Sequence, residues 1–199
     1  MNTVPTGGAI GRRQRILAAA ADLFAREAYA VVQMDDIARA AQVAKPTLYR
    51  HFGTKEALFS EAVASSLGEL KTEALRISAG DASPVERFRE LVHLMGHRIG
   101  RLKALVREAE SGGSHLGERG RAVIRRELRA VRSVIADVIG EGVAAGSFAP
   151  VDPGFAARIV LGAVRMAADA AGTQSAGSVA DLLLNGLARN SSTTPQAMP

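Results

Sequence analysis

Cysteine is absent from this chain. That excludes a disulfide framework and any thiolate chemistry, and it suits a reducing compartment such as the cytoplasm. No uninterrupted apolar stretch approaches ~20 residues, the length a membrane-spanning helix needs. Met1–Arg13 carries no apolar run long enough for a signal peptide. No strand-like alternation is convincing, so no glycine-rich loop follows a strand and no nucleotide fingerprint is present. HExxH is missing, and no internal repeat is found. Glu108 and Glu110 are two residues apart, which points them to different helix faces and makes them a poor acid/base pair. Together these absences leave little chemistry for catalysis, and neither a metal nor a cofactor is expected. What remains is 199 residues with a net charge of +5, enough for two modest domains and a sizeable core. Residues 1–60 hold 8 Lys/Arg against 5 Asp/Glu, a modest basic bias that supports polyanion binding weakly.

The informative stretch is Met34–Phe59. Its pattern predicts a short helix, a tight turn, a second short helix and the start of a third. Ile37, Ala38 and Ala41 give the first helix one apolar face, and Ala38 is small where another helix must cross closely. Val43 plugs the turn. Leu48 and Phe52 are four residues apart and anchor the second helix from one side. Lys45, Thr47, Tyr49 and His51 are then free to face outward. A helix held from behind, with basic, hydroxyl and aromatic groups in front, is laid out as a DNA recognition helix; the plainer reading is a helical hairpin with a solvated face.

Matching residues extend beyond the turn. Arg15-Ile16-Leu17, Ala20 and Leu23-Phe24 come first. Ile37-Ala38, Ala41, Val43, Lys45, Thr47-Leu48-Tyr49, His51-Phe52 and Lys55-Glu56-Ala57-Leu58-Phe59 follow in order. Over about residues 12–60 the chain resembles the TetR-type transcriptional regulators. It departs from their pattern at Ala28 and Gln42, where the family usually has glycine. It departs also at Gln33 and Ala44, where the family often has threonine and serine. A Gln42 that kept the glycine's backbone geometry would be strained, and Ala44 can neither cap a helix nor reach a phosphate.

The resemblance implies an all-α protein of about nine helices. A disordered arm (1–9) precedes an N-terminal three-helix helix-turn-helix DNA-binding domain (10–55), followed by a helical effector-binding and dimerisation domain (56–189) and a disordered tail (190–199). It implies a ligand-responsive regulator rather than an enzyme, most often a repressor. Such a protein binds double-stranded DNA at a palindromic operator as a homodimer and is released by a small-molecule effector. DNA contacts would come from Gln33, Lys45, Pro46, Thr47, Tyr49, His51 and Lys55, with Tyr49, His51 and Lys55 on phosphates. The alternative is an all-α small-molecule-binding or protein-interaction module with a degenerate DNA-binding domain. Such a module would have no reason to keep Lys45, Thr47, Tyr49, His51 and Lys55.

Beyond the turn, helical periodicity continues. Lys55–Ser78 carries Phe59, Val63, Leu67, Leu70, Ala74 and Ile77 on one face, with Gly80 as its stop. Ser83-Pro84-Val85-Glu86 reads as a capping box with proline at the first helical position. A break or kink is expected at Gly100, before Leu102–Glu110, then a loop at Ser111–Ser114. Glu118–Ala145 ends at Gly146, Asp152-Pro153 opens the next helix, and Val179–Ala188 is the last. The resemblance implies a ligand pocket among these helices, with Phe88, Met95, Ile99, Leu105, Ile135 and Val164 as walls and His93, His97 and Arg165 as polar tips. With aromatics at only 4% of residues, a small or aliphatic effector fits at least as well as a flat one. His93 and His97 share a helix face, but Arg98 and Arg101 would repel a cation. Arg121, Arg125, Arg129 and Arg132 line another face, either solvated or a docking site for an anion. The last two helices offer more apolar surface than one small bundle needs, so Phe155, Ile159, Val160, Leu183 and Leu187 are expected at a dimer interface, the plainer reading being burial in the monomer core.

Overall fold

The computed structural model describes residues 7–110, 117–170 and 175–187, with side chains for 11–98, 117–118, 120–167 and 180–186. Every regular element among them is an α-helix: α1 Gly7–Arg26, α2 Met34–Ala40, α3 Lys45–Phe52, α4 Lys55–Ser78, α5 Pro84–Glu110, α6 Glu118–Ala144, α7 Pro153–Ala170 and α8 Ser175–Leu187. These are eight helices where about nine were expected, because α5 runs through Gly100 without a break. One helical glycine costs about 1 kcal/mol relative to alanine. Arg101, Leu102, Lys103 and Ala104, all good helix formers, carry the helix onward. Gly7–Ala9, expected in a disordered arm, belong to α1. Residues 1–6, the loop at Ser111–Ser114 and the tail 190–199 lie outside the described residues.

Contacts cluster into two units: Met1–Thr72 with Arg101–Ala130, and Glu73–Gly100 with Val131–Pro199. In the first, α1 buries Ile16, Leu17, Ala20 and Phe24 against Ile37 and Ala38 of α2, Leu48 and Phe52 of α3, and Leu58, Phe59 and Val63 of α4. An eight-residue helix such as α3 is not stable alone in water, so its conformation depends on this burial. Glu127 of α6 is buried in the same unit. Lys71 of α4 reaches its carboxylate at 3.0 Å and Arg126 at 2.8 Å. Those two hydrogen bonds hold the Glu127 carboxyl below the ordinary carboxylate range.

In the second unit, Phe88, Leu91, Val92 and Met95 of α5 are buried, with Val131, Ile135, Val138 and Ile139 of α6 and Val160 and Val164 of α7. The capping box at the start of α5 is formed: the Ser83 N–H donates to Glu86 at 3.0 Å and the Glu86 N–H to Ser83 Oγ at 3.3 Å. Arg87, nearly buried, donates to the carbonyls of Ser78 (2.6 Å) and Ala82 (2.9 Å) and to Glu141 (2.6 Å). It thereby satisfies a carbonyl at the end of α4 that has no intrahelical partner. α6 ends at a left-handed Gly146 (φ 72°), and the chain turns back so that the Phe148 ring covers Gly142.

A Cβ at Gly142 would lie 2.2 Å from that ring. Phe148 is buried and meets Phe88 edge-on at 5.7 Å, so it has nowhere to go. Gly142→Ala should therefore cost about 1–3 kcal/mol through overpacking, seen as a fall in thermal midpoint of roughly 2–4 °C for each kcal/mol. An unchanged midpoint would show that the ring relocates freely.

Candidate nucleic-acid interface

The turn between α2 and α3 is built by backbone geometry that the sequence only partly favours. Gln42 has φ 55°, in the left-handed region where glycine is preferred. The steric cost expected at this residue is therefore present. Hydrogen bonds from the Gln42 N–H to Arg39 O (3.1 Å) and from the Val43 N–H to Ala38 O (3.0 Å) hold it there. Ala44 is extended and makes no side-chain cap; Pro46, in the first helical turn, sets the φ that α3 needs. At the start of α2, the Asp36 carboxylate accepts the Gln33 N–H at 3.3 Å, while the Gln33 amide donates to Val31 O. Gly53 (φ 71°) closes α3 and Thr54 Oγ1 caps α4 by accepting the Ala57 N–H.

This scaffold buries one side of α3 and presents the other. Leu48 and Phe52 face the core. Gln33, Lys45, Pro46 and Tyr49 are exposed, and Thr47, His51 and Lys55 are half-exposed. All seven residues expected at DNA therefore lie on this turn or flank it.

Two partners escaped the sequence reading. The Lys55 ammonium sits 4.4 Å from the centre of the Tyr29 ring. Tyr29 is itself braced by Phe24 (5.7 Å) and Phe59 (5.1 Å). This aromatic shelf fixes the lysine at the N-terminus of α4, and partial burial lowers its pKa. Asp35 pairs with Lys45 at 2.7 Å, and that hydrogen bond raises the lysine's pKa. Neither partner has a periodic signal, because each pairing spans a turn. Arg13 adds support from α1, lying over the Phe52 ring at 5.3 Å and pairing with Glu61.

The residues expected at a ligand pocket do not share one environment. Phe88, Met95, Ile135 and Val164 are buried, His93 is half-exposed, and His97 and Arg165 face solvent; the side chains of Ile99 and Leu105 lie outside the described residues. A cleft of about 600 Å3 lies elsewhere, in the first unit, lined by Glu56, Ala57, Ser60, Glu61 and Ala64 of α4 and Gly117, Glu118, Gly120 and Val123 of α6. Across it the Gly117 N–H donates to Glu56 at 2.5 Å. Among the described residues no group of three or more His, Asp or Glu could hold a metal ion, and no helix is long and apolar enough to cross a membrane.

The interface residues expected on the last helices also divide. Phe155 and Ile159 are exposed, Leu183 is half-buried, and Val160 is buried within the chain at 1% exposure. The Leu187 side chain lies outside the described residues. Among the described residues, Met166 (73%) and Leu182 (72%) are instead the most open large apolar side chains.

A helix-turn-helix with its second helix held from behind and a long helical region after it defines a DNA-binding transcriptional regulator. Comparison with known proteins names the family. Residues 16–62 match the model described as bacterial regulatory proteins, tetR family, and residues 81–187 match the tetracyclin repressor-like C-terminal domain. The chain belongs to the TetR family, whose members are transcriptional regulators rather than enzymes. The uncharacterised HTH-type regulator YhgD of Bacillus subtilis is 32% identical over 157 residues, covering 76% of this chain and 80% of that protein. The HTH-type transcriptional repressor KstR2 of Rhodococcus jostii is 30% identical over 144 residues, covering 72% and 71%. The solved structure of AibR with isovaleryl coenzyme A and operator DNA is 24% identical, covering 88% of this chain and 97% of that one, with a TM-score of 0.67.

Proposed function

We propose that this protein is a ligand-responsive repressor that binds a near-palindromic operator as a twofold dimer. The observation that carries the reading is α3 itself, with Leu48 and Phe52 buried and Lys45, Pro46 and Tyr49 exposed. DNA reading is assigned to residues 10–55, and effector binding and dimerisation to 56–189. Phe155, Ile159, Met166 and Leu182, exposed together on α7 and α8, supply an apolar surface for a second copy. KstR2, a named repressor, supports the sign of regulation. The isovaleryl coenzyme A held by AibR makes a coenzyme A thioester the first effector class to assay. Arg125 and Arg129, exposed on α6, suit such a phosphate-bearing ligand. By linkage, an effector that favours a different spacing of the recognition helices weakens DNA binding by the same factor that DNA weakens effector binding. Such a regulator works beside the chromosome, in the cytoplasm.

Selection from a random duplex pool tests this directly. It should enrich a twofold symmetric site with half-sites about one helical turn apart, roughly 34–36 Å. Lys55→Ala should weaken specific and non-specific binding alike. It should also reduce the salt dependence of log K by ~1 for each half-site, as expected for a lost phosphate contact. A pool that returns no symmetric motif at low salt would remove the operator reading. A Lys55→Ala protein with unchanged salt dependence would remove that lysine from the phosphates.

A further inference from the structure

Asp35 and Lys45 stand on the two helices of the turn, Asp35 in the first turn of α2 and Lys45 as the first residue of α3. Their charged atoms are 2.7 Å apart, and the two side chains are 56% and 52% exposed. Neither residue serves the core, which α2 and α3 supply through Met34, Ile37, Ala38, Leu48 and Phe52. Nor does Asp35 hold the start of α2, since Asp36 accepts the Gln33 N–H there. The pair thus sets a strong donor beside a strong acceptor on the surface that carries Pro46 and Tyr49.

The major-groove edge of a G·C pair has the complementary order. Guanine offers two acceptors, N7 and O6, and cytosine offers the N4 amino donor beside them. O6 and N4 are hydrogen-bonded to each other, so they lie about 2.9 Å apart, close to the separation of the ammonium and carboxylate. An A·T pair alternates acceptor, donor, acceptor along the same edge and adds the thymine methyl. It gives a lysine no two adjacent acceptors.

We propose that Asp35 and Lys45 together read one G·C pair in each half-site, Lys45 donating to guanine N7 and O6 and Asp35 accepting from the cytosine amino group. This rests on the reading above that α3 enters the major groove. Asp35 is then a specificity-determining residue in two ways. On the correct pair its carboxylate is satisfied. On an A·T pair the adenine amino donor takes the place of guanine O6, so Lys45 loses one of its two acceptors while staying neutralised by Asp35, which suppresses binding to the wrong DNA.

The test uses the whole 199-residue chain, in wild-type form and as Asp35→Ala, Asp35→Asn and Lys45→Ala. Each is taken through selection from a random duplex pool. Titrations at fixed salt then compare the selected site with one in which the candidate G·C is exchanged for A·T. The wild type should show a G·C pair at one position of each half-site and lose about tenfold on exchange. Asp35→Ala and the isosteric Asp35→Asn should still select the remainder of the motif, with that preference reduced to a few-fold at most. The Asp35→Ala protein should also bind random duplex more tightly, with a salt slope steeper by ~1 for each freed lysine. Lys45→Ala should lose the same position without the gain on random duplex. Base preferences unchanged in both Asp35 variants would overturn the proposal while leaving the operator reading standing. A wild-type pool without a symmetric motif would overturn both.

Discussion

Ile159→Glu should leave the protein monomeric at micromolar concentration. Ile159 is 51% exposed on α7, beside Phe155 and in line with Met166, so a glutamate there is harmless to the isolated chain. In a twofold interface it would appear twice, buried and unpaired. An uncompensated buried charge costs about 3–5 kcal/mol, which is a factor of roughly one hundred to several thousand in the dissociation constant. Operator affinity should fall with it, because each monomer would grip a single half-site. Light scattering of wild type and variant, followed by titration of a symmetric duplex, reads both effects. A variant that stays dimeric and binds normally would move the interface off this face. Leu183 is the weaker place for such a charge, since it is already half-buried within the chain.

Leu48→Ala should give the opposite separation, with the dimer kept and DNA binding lost. Leu48 is fully buried beneath α3. Truncating a buried leucine removes about 2–5 kcal/mol through lost transfer energy and the cavity left behind. For an eight-residue helix that depends on burial, this is enough to unseat the recognition surface. The contacts of α7 and α8 lie in the other unit and lose nothing. Mass in solution should be unchanged while operator binding falls below detection, and circular dichroism should report a small loss of helix. A variant that binds the operator with wild-type affinity would mean that α3 is held by Phe52 and its cap alone.

Local chemistry was the part of this molecule legible in the sequence. The capping box at Ser83 and Glu86, the extent of α4 from Lys55 to Ser78, the stop at Gly146 and the buried side of α3 all follow from short-range spacing. Gly100 misled because a glycine's helix cost is smaller than what its neighbours supply. The pairs Lys55–Tyr29 and Lys45–Asp35 were hidden, since residues 26 and 10 positions apart meet only once the turns are built. Val160 and Ile159 show a different limit. Both are apolar and adjacent, yet one is buried by its own chain and the other is open. Periodicity marks a face as apolar without saying whether the same chain or a second copy covers it.

The open stripe on α7 carries one more piece of information in its numbering. Phe155, Ile159, Gly162 and Met166 follow one another at intervals of four, three and four, which is a heptad seam. Two helices that meet along such a seam interdigitate knobs into holes and coil left-handedly, crossing at about 20° rather than the roughly 50° common in globular packing. Gly162 falls in the middle of the seam, and a Cβ there would meet nothing within 4 Å. With no side chain there, two α7 helices paired along the seam would come closer at Gly162 than at the positions of Phe155, Ile159 and Met166.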